Sequence, residues 1–275
     1  MPRLPMQSEL TPELLRDARL RLLRMHSEAG VGHIGGNLSS LDILLCLYHQ
    51  VLQPRDAFVL SKGHAAGALY VALWSIGALS ESDLETFHRD ATRLSGHPPA
   101  AGIPEILFAT GSLGHGPSLA SGLALAKRLQ GATGRVFCLT SDGEWNEGAC
   151  WEALIFAKHQ GLGNLTMIVD LNGLQGFGTT KEVADLDSLA DKFRSFGWFT
   201  ADADGHDIPA MRAALDLCVD QHLPSVIVAK TTKGKGVSFI EHRMDSHYLP
   251  LDQSQYAQAV QEIERSTAAS VDVSE

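Results

Sequence analysis

The sequence predicts an α/β fold, an open and mostly parallel sheet with helices on both faces. Three observations carry that prediction. Residues 135–140 and Leu165–Leu171 are short apolar runs without polar alternation, as expected of strands covered on both faces. Stretches with helical spacing of apolar residues separate such runs. The loops that follow the runs are rich in glycine and polar side chains, and in such sheets ligands bind beyond the carboxyl ends of the strands.

In chain order, residues 10–29 read as an amphipathic helix. Thr11 is its N-cap, Pro12 takes the first helical position, and Leu14, Leu15, Ala18, Leu22 and Met25 recur at helical spacing. The run Gly30-Val31-Gly32-His33-Ile34-Gly35-Gly36, four glycines in seven residues, is expected to break that helix. A second helix is expected over residues 39–48. Ala57–Leu60 is a short strand, followed by Ser61-Lys62-Gly63-His64 and a helix over residues 65–76. Gly111-Ser112-Leu113-Gly114-His115-Gly116 precedes a small-residue helix over residues 117–129. The strand at 135–140, a helix over 149–159 and the strand Leu165–Leu171 make one βαβ unit. Strands at 198–202 and 225–229 flank a helix over 208–219. Beyond about residue 250 the chain turns polar and reads as a loosely held tail, residues 251–275. No internal repeat or low-complexity linker interrupts the pattern. One domain over residues 1–275, with its core at about 10–250, is expected.

Composition narrows the function. A chain of 275 residues can bury a substantial core, and 44% hydrophobic with 20% charged residues excludes wholesale disorder. A net charge of −10 argues against binding nucleic acid by bulk charge. It leaves open a phosphorylated ligand held by a local backbone nest or a metal ion. Cys46, Cys138, Cys150 and Cys218 show neither C-x-x-C nor zinc spacing, which favours a reduced, cytoplasmic protein. Residues 1–9 lack an apolar signal-peptide core, and no apolar run is long enough to cross a membrane.

The chemistry gathers in four loops: Ser61-Lys62-Gly63-His64, Ser141-Asp142-Gly143-Glu144, Asn172-Gly173-Leu174-Gln175-Gly176, and residues 230–236. Asp142 and Asn172 stand thirty residues apart, about one βαβ unit, so adjacent strands would bring their oxygens near one point. A carboxylate, an amide oxygen and a backbone carbonyl suit Mg²⁺ or Ca²⁺ rather than zinc, and Mg²⁺ completes its octahedron with phosphate oxygens and water. Gly143 would let a phosphate approach the backbone. Asp-Gly and Asn-Gly are also common turn dipeptides; their pairing at successive strand ends is what points to a metal. The glycines before residue 117 expose N–H groups at a helix start, without the order of a dinucleotide fingerprint. Lys233-Gly234-Lys235-Gly236 lacks P-loop spacing and reads either as a basic turn or as a phosphate contact. His33, His64, His97 and His115 sit beside glycine or proline in loops, and His247 lies in a later one. Imidazoles donate, accept and exchange protons near neutral pH, which suits work on sugar hydroxyls.

Together these motifs resemble the N-terminal, diphosphate-binding half of transketolase. The matching stretches are Gly32-His33-Ile34-Gly35-Gly36-Asn37-Leu38-Ser39, Ser61-Lys62-Gly63-His64-Ala65-Ala66, Gly96-His97-Pro98 and Thr110-Gly111-Ser112-Leu113-Gly114-His115-Gly116. The longest is Ser141-Asp142-Gly143-Glu144-Trp145-Asn146-Glu147-Gly148, continued by Trp151-Glu152-Ala153 and closed by Asp170-Leu171-Asn172-Gly173-Leu174-Gln175. The resemblance runs from about residue 10 to 250. It implies the thiamine-diphosphate-binding fold and thiamine diphosphate held through Mg²⁺, with Ca²⁺ or Mn²⁺ as possible substitutes. Asp142, Asn172 and the Leu174 carbonyl would be the metal ligands. Gly111, Ser112, Leu113, Gly114, Gly143 and Glu144 would line the cofactor, with His64 and His247 contacting diphosphate or substrate. His33 and His97 would face substrate hydroxyls, and proton transfer would fall to the His33/His247 group. Glu147 would correspond to a family glutamate at the subunit interface, linked to the partner's cofactor-activating acid; an exposed carboxylate at a helix start is its simpler reading.

The implied activity is transfer of a two-carbon ketol unit from a ketose, expected to be phosphorylated, to an aldose. The pyrimidine-binding half of the family has no counterpart in these residues. The chain is therefore expected to be the first subunit of a split transketolase, completed by a C-terminal subunit in an α₂β₂ assembly that supplies the basic sugar-phosphate contacts. Tyr248 stands where the family more often has glycine, which would reshape the substrate mouth. Two other readings stay open. One is a half of another thiamine-diphosphate enzyme, of the deoxyxylulose-phosphate synthase or 2-oxoacid dehydrogenase type. The other is a non-catalytic subunit that only binds a partner.

Overall fold

A computed structural model describes residues 8–186, 188–219 and 222–271. Among them, the strands β1 (Ala57–Leu60), β2 (Val136–Ser141), β3 (Leu165–Leu171), β4 (Phe199–Asp204) and β5 (Ser225–Lys230) form one sheet. Its order is β1-β2-β3-β5-β4 and every neighbouring pair is parallel. Each of the five expected strands is present, β1 and β3 with the expected ends and the other three shifted by a residue or two.

Strand periodicity divides the core in two. Phe58, Leu60, Phe137, Leu139, Ile168 and Ile227 face one side. There they meet α1 (Pro12–Ala29), α2 (Ile34–Cys46), α3 (Ala66–Ser75) and α9 (Ile208–Leu217). Val59, Val136, Cys138, Met167, Val169 and Val228 face the other side. They meet α5 (Gly116–Leu129), α6 (Gly148–His159) and α8 (Leu189–Ser195). Short helices α4 (Glu81–Leu84) and α7 (Thr180–Val183) are each closed by a capping box, Ser80 with Asp83 and Thr179 with Glu182. Periodicity marks none of α4, α7 or α8, because four to seven residues give too little of it.

Two expectations are corrected. The second helix starts at Ile34, not near residue 39, and the chain then passes through a single π turn, Leu47–Val51. Gly35 and Gly36 lie in its first turn. They are there for close approach: a Cβ on Gly35 would run into the Ser246 hydroxyl, and the Gly35 and Gly36 carbonyls accept from Gly234 N (2.9 Å) and Lys62 Nζ (3.0 Å). All of α2 is buried, so propensity yields to packing. Most of the polar tail is helical: α10 (Gln253–Val271) packs on α1 and places Ala259 and Ile263 in the core, while the final four positions of the expected tail lie outside the described residues. The Glu262 carboxylate fastens it, accepting from Ser238 N at 2.6 Å and Ser238 Oγ at 2.9 Å.

Candidate active site

The register between β2 and β3 sets Ser141 opposite Asp170. Asp142 and Asn172 therefore leave the sheet side by side at its carboxyl edge. The Asp142 carboxylate accepts from Gly143 N at 2.7 Å and from Gly173 N at 2.6 Å, which draws the loop after β3 onto it. Asn172 Oδ1 accepts from Leu174 N at 3.1 Å. The loop is closed by a bridge between Leu174 and Thr179. These residues floor a cleft of about 390 Å³.

Charge in the floor is balanced by two buried lysines. Lys62 Nζ donates to Gly36 O (3.0 Å), to Ser40 Oγ (2.8 Å) and to the Asp170 carboxylate. Burial alone would raise the Asp170 carboxyl, but the Lys62 ammonium and the Ser39 and Thr231 hydroxyls hold it down to about 2. Asp142 goes the other way, pushed up to about 6 by burial and by the Asp170 charge. Lys233 is buried, with Nζ donating to Leu174 O (3.2 Å) and to His247 Nδ1 (2.9 Å). Burial and the Lys62 charge bring it down to about 8.

Four histidines form the wall. His33 adopts a left-handed backbone (φ 64°) at the start of α2, its N–H donating to His247 O at 3.1 Å. Its ring centroid lies 5.1 Å from His247, 5.5 Å from His64 and 6.4 Å from His97. Burial lowers the basicity of all four, His247 to about 3 and His64 well below the usual range. They stand as neutral imidazoles at pH 7. His33 Nδ1 is buried, with no hydrogen-bond partner among the described residues.

The cleft gathers His33, His64, His97, Gly111, Leu113, Asp142, Gly143, Glu147, Asn172, Leu174 and His247. Three expected cofactor contacts lie elsewhere. Glu144 is fully buried behind the floor, where it accepts from Gly114 N (2.8 Å), Ser141 N (3.3 Å) and the Ser61 hydroxyl. Its carboxylate is committed to tying three loops together, and Gly114 is the residue it ties. Ser112 is exposed and, with His115, lines a separate, largely apolar groove along α5. Glu147 sits exposed on the rim at the start of α6, with no capping hydrogen bond from its side chain. Sequence reasoning missed the Lys62–Asp170 pair. An aspartate inside the apolar run of β3 was its available signal, since a buried charge needs a partner.

The groups expected to hold a cation, the Asp142 carboxylate, the Asn172 amide and the Leu174 carbonyl, offer only oxygen donors. Among the described residues no three His, Cys, Asp or Glu side chains come together as a metal cluster. Oxygen donors fit a hard divalent cation. Gly111 (φ 147°) has no room for a side chain, since a Cβ would come within 2.9 Å of His97. That bare backbone beside the oxygen donors and the unpartnered His33 nitrogen fit an anionic, ring-bearing cofactor bound through a cation.

Residues 14–274 match the family described as transketolase, thiamine diphosphate binding domain. The chain is 37% identical over 255 residues to an apulose-4-phosphate transketolase subunit of Phocaeicola vulgatus, covering 89% of this chain and 90% of that protein. It is 38% identical over 249 residues to a 6-deoxy-6-sulfo-D-fructose transketolase subunit of Clostridium sp., covering 87% and 90%. Among solved structures, transketolase from Campylobacter jejuni superposes with a TM-score of 0.79 at 27% identity, over 93% of this chain and 43% of that one. The chain thus spans less than half of that solved transketolase. The family match, the relatives and the shared fold agree: the chain belongs to the transketolase family of transferases and carries its thiamine-diphosphate-binding domain.

Proposed function

We propose that this chain is the cofactor-binding subunit of a two-subunit transketolase that moves a two-carbon ketol unit from a ketose, preferably phosphorylated, to an aldose. The observation that carries the reading is the meeting of Asp142, Asn172 and Leu174 O under a wall of four neutral histidines. Asp142, Asn172 and the Leu174 carbonyl would hold Mg²⁺, and Gly111, Leu113, Gly143 and His64 would line the diphosphate. Lys233, now on Leu174 O, would add a positive charge beside it. Thiamine diphosphate, when bound, supplies the carbanion chemistry that breaks and remakes the carbon–carbon bond.

The chain's own residues position the sugar. His33 and His97, both lining the cleft, would face the substrate hydroxyls, with His247 beside them. As neutral imidazoles, each offers one ring nitrogen that accepts a hydrogen bond and one N–H that donates, which suits them to hold substrate hydroxyls and relay protons between them. Glu147, exposed and uncapped on the rim, is where a partner chain would reach the cofactor. The relatives named as transketolase subunits support this split, since the chain covers about 90% of each. An α₂β₂ assembly follows if each cleft is shared. Four buried free thiols suit the reducing cytoplasm, and no helix among the described residues is long and apolar enough to cross a membrane.

The test is binding and transfer measured together. Calorimetry of the reconstituted complex should show Mg²⁺-dependent thiamine diphosphate binding. Asp142→Ala should weaken it by about 100-fold or more, because a carboxylate ligand is lost beside a dianion. The chain alone should transfer no ketol units. Full activity without a partner, or undiminished cofactor binding by Asp142→Ala, would overturn the reading.

A further inference from the structure

Tyr248 follows the turn Met244–His247 and stands at the mouth of the cleft, 55% exposed. Two glycines make its place. A Cβ on Gly32 would run into the Tyr248 carbonyl, so the two segments pass with backbone against backbone. A Cβ on Gly176 would run into the phenol oxygen, while Cζ lies 3.4 Å from that position. The side chain therefore reaches from the segment that carries His247 across to the loop after β3. Its ring stands edge-on to His247 at 4.5 Å and lies 6.5 Å from His33. No protein group among the described residues hydrogen-bonds its hydroxyl.

The mouth is otherwise poor in means of selection. Among the described residues that line the cleft, only Lys233 is a lysine or arginine, and it is buried against Leu174 O and His247. This chain can therefore discriminate among substrates by shape and neutral hydrogen bonds, not by pairing a phosphate. We propose that Tyr248 is a specificity-determining residue: its ring walls the mouth beside His33 and His247, and its hydroxyl hydrogen-bonds a hydroxyl of the sugar's carbon chain. The inference rests on the ketol-transfer reading above. Gly176 belongs to the same device, since any larger residue would displace the phenol.

The experiment compares wild type, Tyr248→Phe, Gly176→Ala and the double variant, each reconstituted with the partner chain. Donors are D-fructose 6-phosphate, D-xylulose 5-phosphate and hydroxypyruvate, which lacks hydroxyls beyond its carbonyl. Tyr248→Phe should lower kcat/KM for both sugars about tenfold, mainly through KM, and leave hydroxypyruvate within about twofold. Gly176→Ala should cost a similar factor. The double variant should be no worse than Tyr248→Phe, because removing the phenol oxygen leaves room for the methyl. Equal effects on all three donors, no effect on any, or additive losses in the double variant would overturn the inference. A wild-type complex that binds thiamine diphosphate yet transfers from none of the donors would instead sink the functional reading beneath it.

Discussion

His26 lies one layer behind the four histidines of the cleft, fully buried on α1 with its ring 5.2 Å from Phe87 and Nδ1–H donating to Leu22 O at 2.9 Å. Burial, opposed by that bond, brings its basicity down to about 4, with His88 and His33 the nearest charges that could add to the effect. In the folded protein this imidazole stays neutral, whereas the unfolded chain takes up a proton below about pH 6.5. Its contribution is present at neutral pH, falls as pH drops from about 6.5 to about 4, and levels off below that. The loss is about 3 kcal/mol at most. Urea unfolding across this range should show a flatter acid slope for His26→Gln than for wild type. At this scale much of the site was legible in advance. Asp142 and Asn172 come together at one sheet edge, as a spacing of one βαβ unit suggested, and four of the five loop histidines line the same cleft. Glu144 was misplaced because sequence gives a loop's position but not the direction of a side chain. Lys233 stayed ambiguous for the same reason.

The start of α2 shows how one element serves both fold and site. Its first carbonyls anchor Gly234 and Lys62, the residue just before it is His33, and Ser39 and Ser40 reach Asp170 with hydroxyl bonds of 2.6 and 3.0 Å. Alanine normally favours a helix over glycine by about 1 kcal/mol. At Gly35 the added methyl would press on Ser246 and come within 3.0 Å of Lys233 Cγ. Gly35→Ala should therefore destabilise the chain by about 1–3 kcal/mol and weaken cofactor binding through Lys233. At Gly122 in α5 an added methyl would have nothing within 4 Å, so Gly122→Ala should leave the isolated chain as stable or up to about 1 kcal/mol more so. Denaturant midpoints of the two variants give the comparison directly. Sequence alone assigns the four glycines between residues 30 and 36 to a helix break, because propensity cannot distinguish a glycine that ends a helix from one that lets another backbone in.

Across the whole molecule, the strands and their parallel order follow from the apolar runs, but the layer formed by α1 and α10 does not. The polarity of residues 253–266 hides the two positions, Ala259 and Ile263, that reach the core. Burying one isoleucine side chain is worth about 1.5–3 kcal/mol. A chain shortened to residues 1–250 should lose at least that much stability, and limited proteolysis should then cut within residues 12–29, which the full chain protects. The same pairing bears on how the protein is made. On the ribosome α1 emerges among the first residues, yet its covering helix leaves the exit tunnel only after the five strands have been synthesised. Throughout that interval the face of α1 that α10 will cover stays open, a natural holding point for a chaperone until α10 arrives.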